Sequence, residues 1–288
     1  MGDALPPNEN RRERLSAGLS RKDENSCHIM GIVNVTPDSF HEQSRKTTVK
    51  QAVETAIKMW DEGATWVDIG GESTRPGADH VSVQEELNRV LPVIQELRRR
   101  DENGLISIDT RRPEVARAAI DAGADLVNDV SGLRDPGMVE LVLEKQCGVC
   151  IMHMLGEPKT MQQNPTYVDC AAEVSSQLLE TARALVAGGL PAENIILDPG
   201  IGFGKHLDHN IDLLQRHELL RGIERFAVLW GVSRKSMIGH LTGKSEASQR
   251  LSGTLAIAAM AHYEGIDVVR VHDVSEHADV FAVLNAVD

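Results

Sequence analysis

Nine polar side chains stand where short apolar runs stop: Asn34, Asp68, Asp109, Asn128, His153, Asp198, Lys235, Arg270 and His272. Turn chemistry alone ends some strands in Asp or Asn. A set that mixes acids, amides, imidazoles and cations is matched better by a polar ligand. If they meet at one place, the carboxylates repel and desolvate one another unless a partner satisfies them. Asp109, Asp198 and Asn128 offer acceptors and an amide, which suits a heterocycle bearing N–H donors and ring acceptors. Arg270 and His272 precede a helix expected to start near Ser275, and the N–H groups and dipole of such a start favour an anion such as phosphate. The ligand this set fits is a planar nitrogen heterocycle with a phosphate arm. No convincing Ser-His-Asp or Cys-His arrangement competes with that reading.

The elements that must deliver these groups repeat one pattern. Its clearest instance is Ile195-Ile196-Leu197 running into Asp198-Pro-Gly-Ile-Gly-Phe-Gly-Lys205, a buried strand that ends on a carboxylate and a tight glycine turn. Further strand-like runs are read at Ile29–Val35, Thr65–Gly70, Leu105–Asp109, Asp125–Asn128, Gly148–His153, Ala227–Gly231 and Val268–His272. Helical periodicity separates them, at about 48–62, 82–99, from Arg112-Pro113-Glu114 onward, 136–145, 169–187, 211–220, through about 261, and 276–284. Eight such alternations require crossover connections and parallel pairing, and they predict an α/β fold, a single-domain (β/α)8 TIM barrel over residues 28–288. The competing doubly wound sheet would carry a phosphate-binding glycine turn after the first strand. Asn34-Val-Thr-Pro stands there instead. In a barrel, chemistry sits at the carboxyl ends of the strands, where the nine polar residues lie.

Residues 1–27 are charged and small with no periodic apolar pattern, and are expected to form a mobile or loosely docked tail. The chain has 288 residues, 41% hydrophobic, with a formal net charge of −13. That charge argues against general affinity for nucleic acid or anionic membrane. No apolar run approaches a membrane span and the N-terminus lacks a signal-peptide core, so a cytoplasmic setting is expected. Cys27, Cys147, Cys150 and Cys170 are too few and too irregular for a disulfide framework. Cys147-Gly-Val-Cys150 has redox or zinc spacing, but no second pair completes a metal site, and it leads into an apolar run. Buried thiols are the expectation.

Ordered blocks along the chain resemble a known family. Met30-Gly-Ile-Val-Asn-Val-Thr-Pro-Asp-Ser-Phe40, Asp68-Ile-Gly-Gly-Glu-Ser-Thr-Arg-Pro-Gly77, Ile108-Asp-Thr110, Asn128-Asp129, Met152-His-Met154, Asp198 to Lys205, Ser233-Arg-Lys-Ser236 with Ile238-Gly239, and Arg270-Val-His272 are similar to dihydropteroate synthase, over roughly residues 28–287. The resemblance implies a folate-pathway transferase that joins 4-aminobenzoate to 7,8-dihydropterin-6-ylmethyl diphosphate with Mg2+ as helper, acting as a homodimer through barrel helices, where Ala256, Ile257 and Met260 are candidates. It further implies Asn34 as the Mg2+ ligand, and Asp109, Asn128, Asp198 and Lys235 around the pterin, with Arg270 across its face. Arg75, Arg270 and His272 join Asn34 at the diphosphate. Thr74, Pro76, Phe203 and Ser236 would hold the aminobenzoate, and Asp38, Phe40 and Ser73 belong to loops that close over the reactants. Asp109, Asp198, Lys235 and Arg270 would carry the catalysis.

Two departures stand out. Where the family commonly continues Ser-Asp-Gly-Gly after Phe40, this chain has His41-Glu-Gln-Ser-Arg45, which suggests a stiffer loop and an altered choice between aminobenzoate and its sulfonamide mimics. The lead-in also lacks the strand pair that often precedes the first barrel strand. Two alternatives are a pterin-binding methyltransferase domain, which would lack Ser-Arg-Lys-Ser, and a non-catalytic pterin-binding paralogue, which would break at Asn34, Lys235 or Arg270.

Overall fold

A computed structural model describes residues 15, 19, 27–35, 42–72, 81–101, 103–157 and 160–287, with 42–47 as backbone only. Eight parallel strands close on themselves in chain order. They are β1 (His28–Asn34), β2 (Trp66–Gly70), β3 (Leu105–Asp109), β4 (Leu126–Asp129), β5 (Gly148–Met152), β6 (Ile195–Asp198), β7 (Ala227–Trp230) and β8 (Val268–Val271). The helices between and after them are α1 (Glu42–Asp61), α2 (Val83–Arg100), α3 (Pro113–Asp121), α4 (Pro136–Lys145), α5 (Cys170–Ala187), α6 (Leu207–Gln215), α7 (Ser236–Thr242), α8 (Leu251–Tyr263) and α9 (Val274–Val287). The closed barrel excludes the doubly wound alternative. Strand β8 pairs back onto β1, with Met30 opposite Arg270.

Side-chain alternation sorts each strand into two environments. Outward residues such as Val67, Ile69, Ile106, Ile108, Val149, Ile151 and Val269 join the layer between barrel and helices. Inward residues Met30, Trp66, Leu105, Leu126, Cys150, Ile196, Leu229 and Val268 fill the lower barrel. Two positions further along their strands stand Ile32, Asp68, Ser107, Asn128, Met152, Asp198, Gly231 and Arg270. The same alternation that builds the floor therefore brings polar groups to the mouth.

Leu15 and Leu19 are 1% and 8% exposed and belong to the interior cluster. Leu15 packs on Gly148, where an added Cβ would come within 2.8 Å of its Cδ2. At these two positions the lead-in is docked, not mobile.

Three sequence expectations change. Helix α1 starts at Glu42, so Glu42 to Arg45 form its first turn instead of a loop; His41 lies outside the described residues. Losing the two glycines removes the residues that most oppose helix. The helical run after β7 is broken at Gly243, which caps α7 at φ +69, and a 3-10 turn at Ala247–Arg250 precedes α8. Of the residues suggested for a dimer face, Ala256 and Met260 are exposed, whereas Ile257 is buried core. All four cysteines are buried thiols outside any disulfide, as expected. No helix among the described residues is long and apolar enough to cross a membrane.

Candidate active site

At the carboxyl ends of the strands lies a cleft of about 1020 Å³, whose lining includes Asn34, Asp109, Phe203, Lys235, Ser236, Arg270 and His272. Its floor is a charge network. Arg270 donates through Nε to Asp68 at 2.6 Å and through Nη2 to Asp109 at 2.7 Å. Asn128 donates its amide to the same Asp68 oxygen at 3.0 Å. The other oxygen of Asp68 is buried with no partner among the described residues. Burial pushes the Asp109 carboxyl up despite the pull of Arg270. Burial alone would weaken the charge on Arg270, yet Asp68 and Asp109 hold its guanidinium above the ordinary value.

The opposite wall is built by the turn after β6. Asp198 accepts from the Gly200 amide at 2.8 Å, and Gly200 takes φ +67. A Cβ there would stand 1.9 Å from the His153 carbonyl oxygen, so the turn needs glycine. Lys235 caps α7 and extends back over the turn. Its Nζ donates to the Ile201 carbonyl at 2.5 Å and lies 4.5 Å from the centre of the Phe203 ring. Burial raises Asp198, with Lys235 opposing, and burial lowers Lys235 to about 8, with Asp198 opposing. The two form a desolvated pair poised to meet polar groups of a ligand.

His272 faces Ser233, whose Oγ lies 2.9 Å from Nδ1. Arg234, at φ +56, makes a two-point ion pair with Asp273 at 2.8 and 2.5 Å beside the start of α9. The carboxylate next to that start is thus taken up by Arg234, and Arg270 and His272 are the groups of the expected anion site that line the cleft. Asn34 ends β1 exposed to the cleft, its Oδ1 near Gly70 and therefore close to Asp109. Among the described residues no group of three or more His, Cys, Asp or Glu is placed to hold a metal. A lone amide oxygen suits only a hard cation that takes its other ligands from water and phosphate.

Asp109, Asn128, Asp198, Lys235, Arg270, His272, Phe203, Ser236 and Asn34 are thus all placed around one cleft or its floor. Asp38, Phe40, Ser73, Thr74, Arg75 and Pro76 lie outside the described residues. Asp129, one residue beyond Asn128, points away and accepts from Ser131 and Leu133 in the following turn. His153 does not itself line the cleft but meets Lys205, which does, at 2.9 Å. Sequence reasoning placed Asp68 among the strand-end polar groups but assigned it no specific partner, although it points inward like Asp109. Lys205 likewise went unassigned, and a lysine after a glycine turn carries no sign of being buried.

The fold and its polar mouth define a (β/α)8 barrel for a flat heterocyclic ligand. The profile of the pterin binding enzyme family matches residues 30–272. The dihydropteroate synthase of Escherichia coli K12 is 46% identical over 275 residues, spanning 95% of this chain and 96% of the relative. Among solved structures, Xanthomonas albilineans dihydropteroate synthase with 4-aminobenzoic acid superposes with a TM-score of 0.83 at 43% identity, covering 92% of this chain and 94% of that one. Burkholderia cenocepacia dihydropteroate synthase complexed with 7,8-dihydropteroate gives 0.82 at 42% identity, over 91% of each chain. The chain belongs to the dihydropteroate synthase family of pterin-binding enzymes.

Proposed function

We propose that this chain condenses 7,8-dihydropterin-6-ylmethyl diphosphate with 4-aminobenzoate, yielding 7,8-dihydropteroate and diphosphate for folate biosynthesis. The observation that supports this most directly is that Lys235, desolvated beside the buried Asp198, lines the same cleft as the Arg270–Asp109 pair. In a dissociative substitution the bond from the pterin methylene carbon to the diphosphate oxygen breaks with its electron pair leaving on diphosphate, the arylamine nitrogen bonds to that carbon, and its proton passes to solvent. The hard part is dispersing charge on the departing diphosphate while the methylene carbon becomes cation-like. Positioning and electrostatics supply that, without a nucleophilic side chain.

Asp198, Asp109 and Asn128 take the pterin's N–H donors and amide edge, and Lys235 donates to its carbonyl and ring nitrogen. Arg270 turns its guanidinium to the ring face, a planar contact that lysine does not reproduce. With His272 it also draws the leaving charge. Phe203 walls the aryl slot, and Ser236 meets the benzoate carboxylate. By the family resemblance Thr74 and Pro76 are assigned to the aminobenzoate, Arg75 to the diphosphate, and Asp38, Phe40 and Ser73 to loops that would exclude water from the reactants. Mg2+ fits the amide oxygen of Asn34 and would neutralise diphosphate charge when bound. The methyltransferase and non-catalytic readings are not favoured, because Ser233-Arg-Lys-Ser236 is present and Asn34, Lys235 and Arg270 are intact. We also read the protein as a homodimer through the outer face of α8, where Ala256, Met260 and Tyr263 are exposed.

Incubation of the purified chain with pterin diphosphate, 4-aminobenzoate and Mg2+ should release diphosphate and form dihydropteroate in equal amounts. Diphosphate release that does not depend on aminobenzoate would reject the transferase reading. Sedimentation at micromolar concentration tests the dimer.

A further inference from the structure

Lys205 closes the glycine turn after β6 and is only 3% exposed. A buried ammonium is ordinarily matched by a carboxylate. Among the described residues none lies within ion-pair distance of Lys205. Its Nζ instead meets the Phe203 carbonyl at 3.0 Å, His153 Nδ1 at 2.9 Å and the His153 carbonyl at 3.4 Å. Burial and the Lys205 charge hold the His153 imidazole down to about 3, so it is neutral; burial also lowers Lys205 itself to about 7, and Nδ1 accepts from its ammonium form. One side chain therefore ties the β6 turn to the end of β5.

Its neighbours reinforce the same junction. Tyr167 Oη donates to the Gly204 carbonyl at 2.9 Å and Gln162 Nε2 to the Gly202 carbonyl at 2.6 Å. Lys205, which also lines the cleft, adds a bond at the carbonyl of Phe203 itself. The Phe203 ring in turn lies under Lys235 Nζ.

We propose that Lys205 is a positioning residue for the second substrate: by tying the Phe203 carbonyl to the end of β5, it sets where the Phe203 ring stands in the aryl slot. This rests on Phe203 serving as the aryl wall of the proposed reaction. Loss of the tie lets the ring shift, which weakens aromatic binding equally in ground and transition states. KM for the arylamine should then rise while kcat changes little. A merely structural role would lower the active fraction and leave KM alone.

The test compares Lys205→Met, Lys205→Gln, Phe203→Ala and the double variant Phe203→Ala with Lys205→Met. Steady-state kinetics vary both substrates, and pterin titration reads the folded fraction. Lys205→Met should raise the aminobenzoate KM about tenfold, as expected for loss of a charged donor, with kcat and pterin affinity within about threefold. Lys205→Gln, which keeps a donor, should recover part of that loss. On the Phe203→Ala background, Lys205→Met should change KM by less than about twofold, because the two act through one ring. An unchanged KM in Lys205→Met, or full additivity in the double variant, overturns the proposal. So does loss of pterin binding in both Lys205 variants, which would assign a structural role. An inactive wild-type chain would instead overturn the proposed reaction, so the two failures are distinguishable.

Discussion

Arg270 on β8 donates to Asp109 on β3 at 2.7 Å, across the mouth of the barrel. The same guanidinium reaches Asp68 on β2 at 2.6 Å. The cation assigned to the pterin face thus holds two inward carboxylates together before any ring arrives. On the proposed assignment of Asp109 to the pterin, that carboxylate would share or exchange its partner when the ring binds.

Removing the cation should therefore be felt in stability as well as activity. Arg270→Met leaves two buried carboxylates without their counterion, and breaking a buried pair this way costs about 3–5 kcal/mol. Urea unfolding at neutral pH should show a loss of that size. A midpoint equal to wild type would mean the network is not stabilising.

Asp198 should behave in the opposite way. Its carboxyl is desolvated and raised, so Asp198→Asn removes a costly buried charge while an amide oxygen still accepts from Gly200. Thermal stability should hold or rise. Pterin affinity, measured by calorimetry, should fall by about 2–3 kcal/mol with loss of a charged acceptor. Affinity retained within a few-fold would show that this carboxylate does not read the pterin.

The pH profile follows from the same pair. Lys235, held down to about 8, is protonated below that value and loses its proton as pH rises through it. If the ammonium donates to the pterin, kcat/KM for the pterin diphosphate falls on the alkaline side with a midpoint near 8. On the acid side, Asp198 and Asp109 must be ionised, and both are raised, so activity falls at a pH above the ordinary carboxylate range. Lys235→Arg keeps its charge at every accessible pH and should remove the alkaline limb. A limb that persists in this variant belongs to another group.

Far from the cleft, Leu15→Ala should cost about 2–4 kcal/mol, as for a buried leucine truncated in a packed interior. Both KM values should stay at wild type. Denaturant titration beside steady-state kinetics checks this. A loss under about 1 kcal/mol would show that the lead-in does not brace the barrel floor.

Much of this protein could be read before any coordinates. Alternation along Trp66-Val-Asp68, Leu105-Ile-Ser-Ile-Asp109 and Ile196-Leu-Asp198 already separates helix-facing from barrel-facing residues, because a strand's side chains reverse at every step. Strand-end chemistry followed from the same count. Asn128 and Asp129 look alike as letters, yet one enters the cleft and the other caps a turn. That difference follows from the alternation, but only once the strand's register is known.

By itself the sequence determined the eight alternating units, the rim on which the polar ends gather, and the family, since these depend on local periodicity and ordered motifs. Which charge meets which was decided only in three dimensions. Arg270 and Asp68 are 202 positions apart and meet because β8 closes onto β1, next to β2. The burial of Lys205 and the docking of Leu15 are of the same kind. Burial and long-range pairing are properties of surfaces brought together by closure, and no local pattern in a chain encodes the face it will meet.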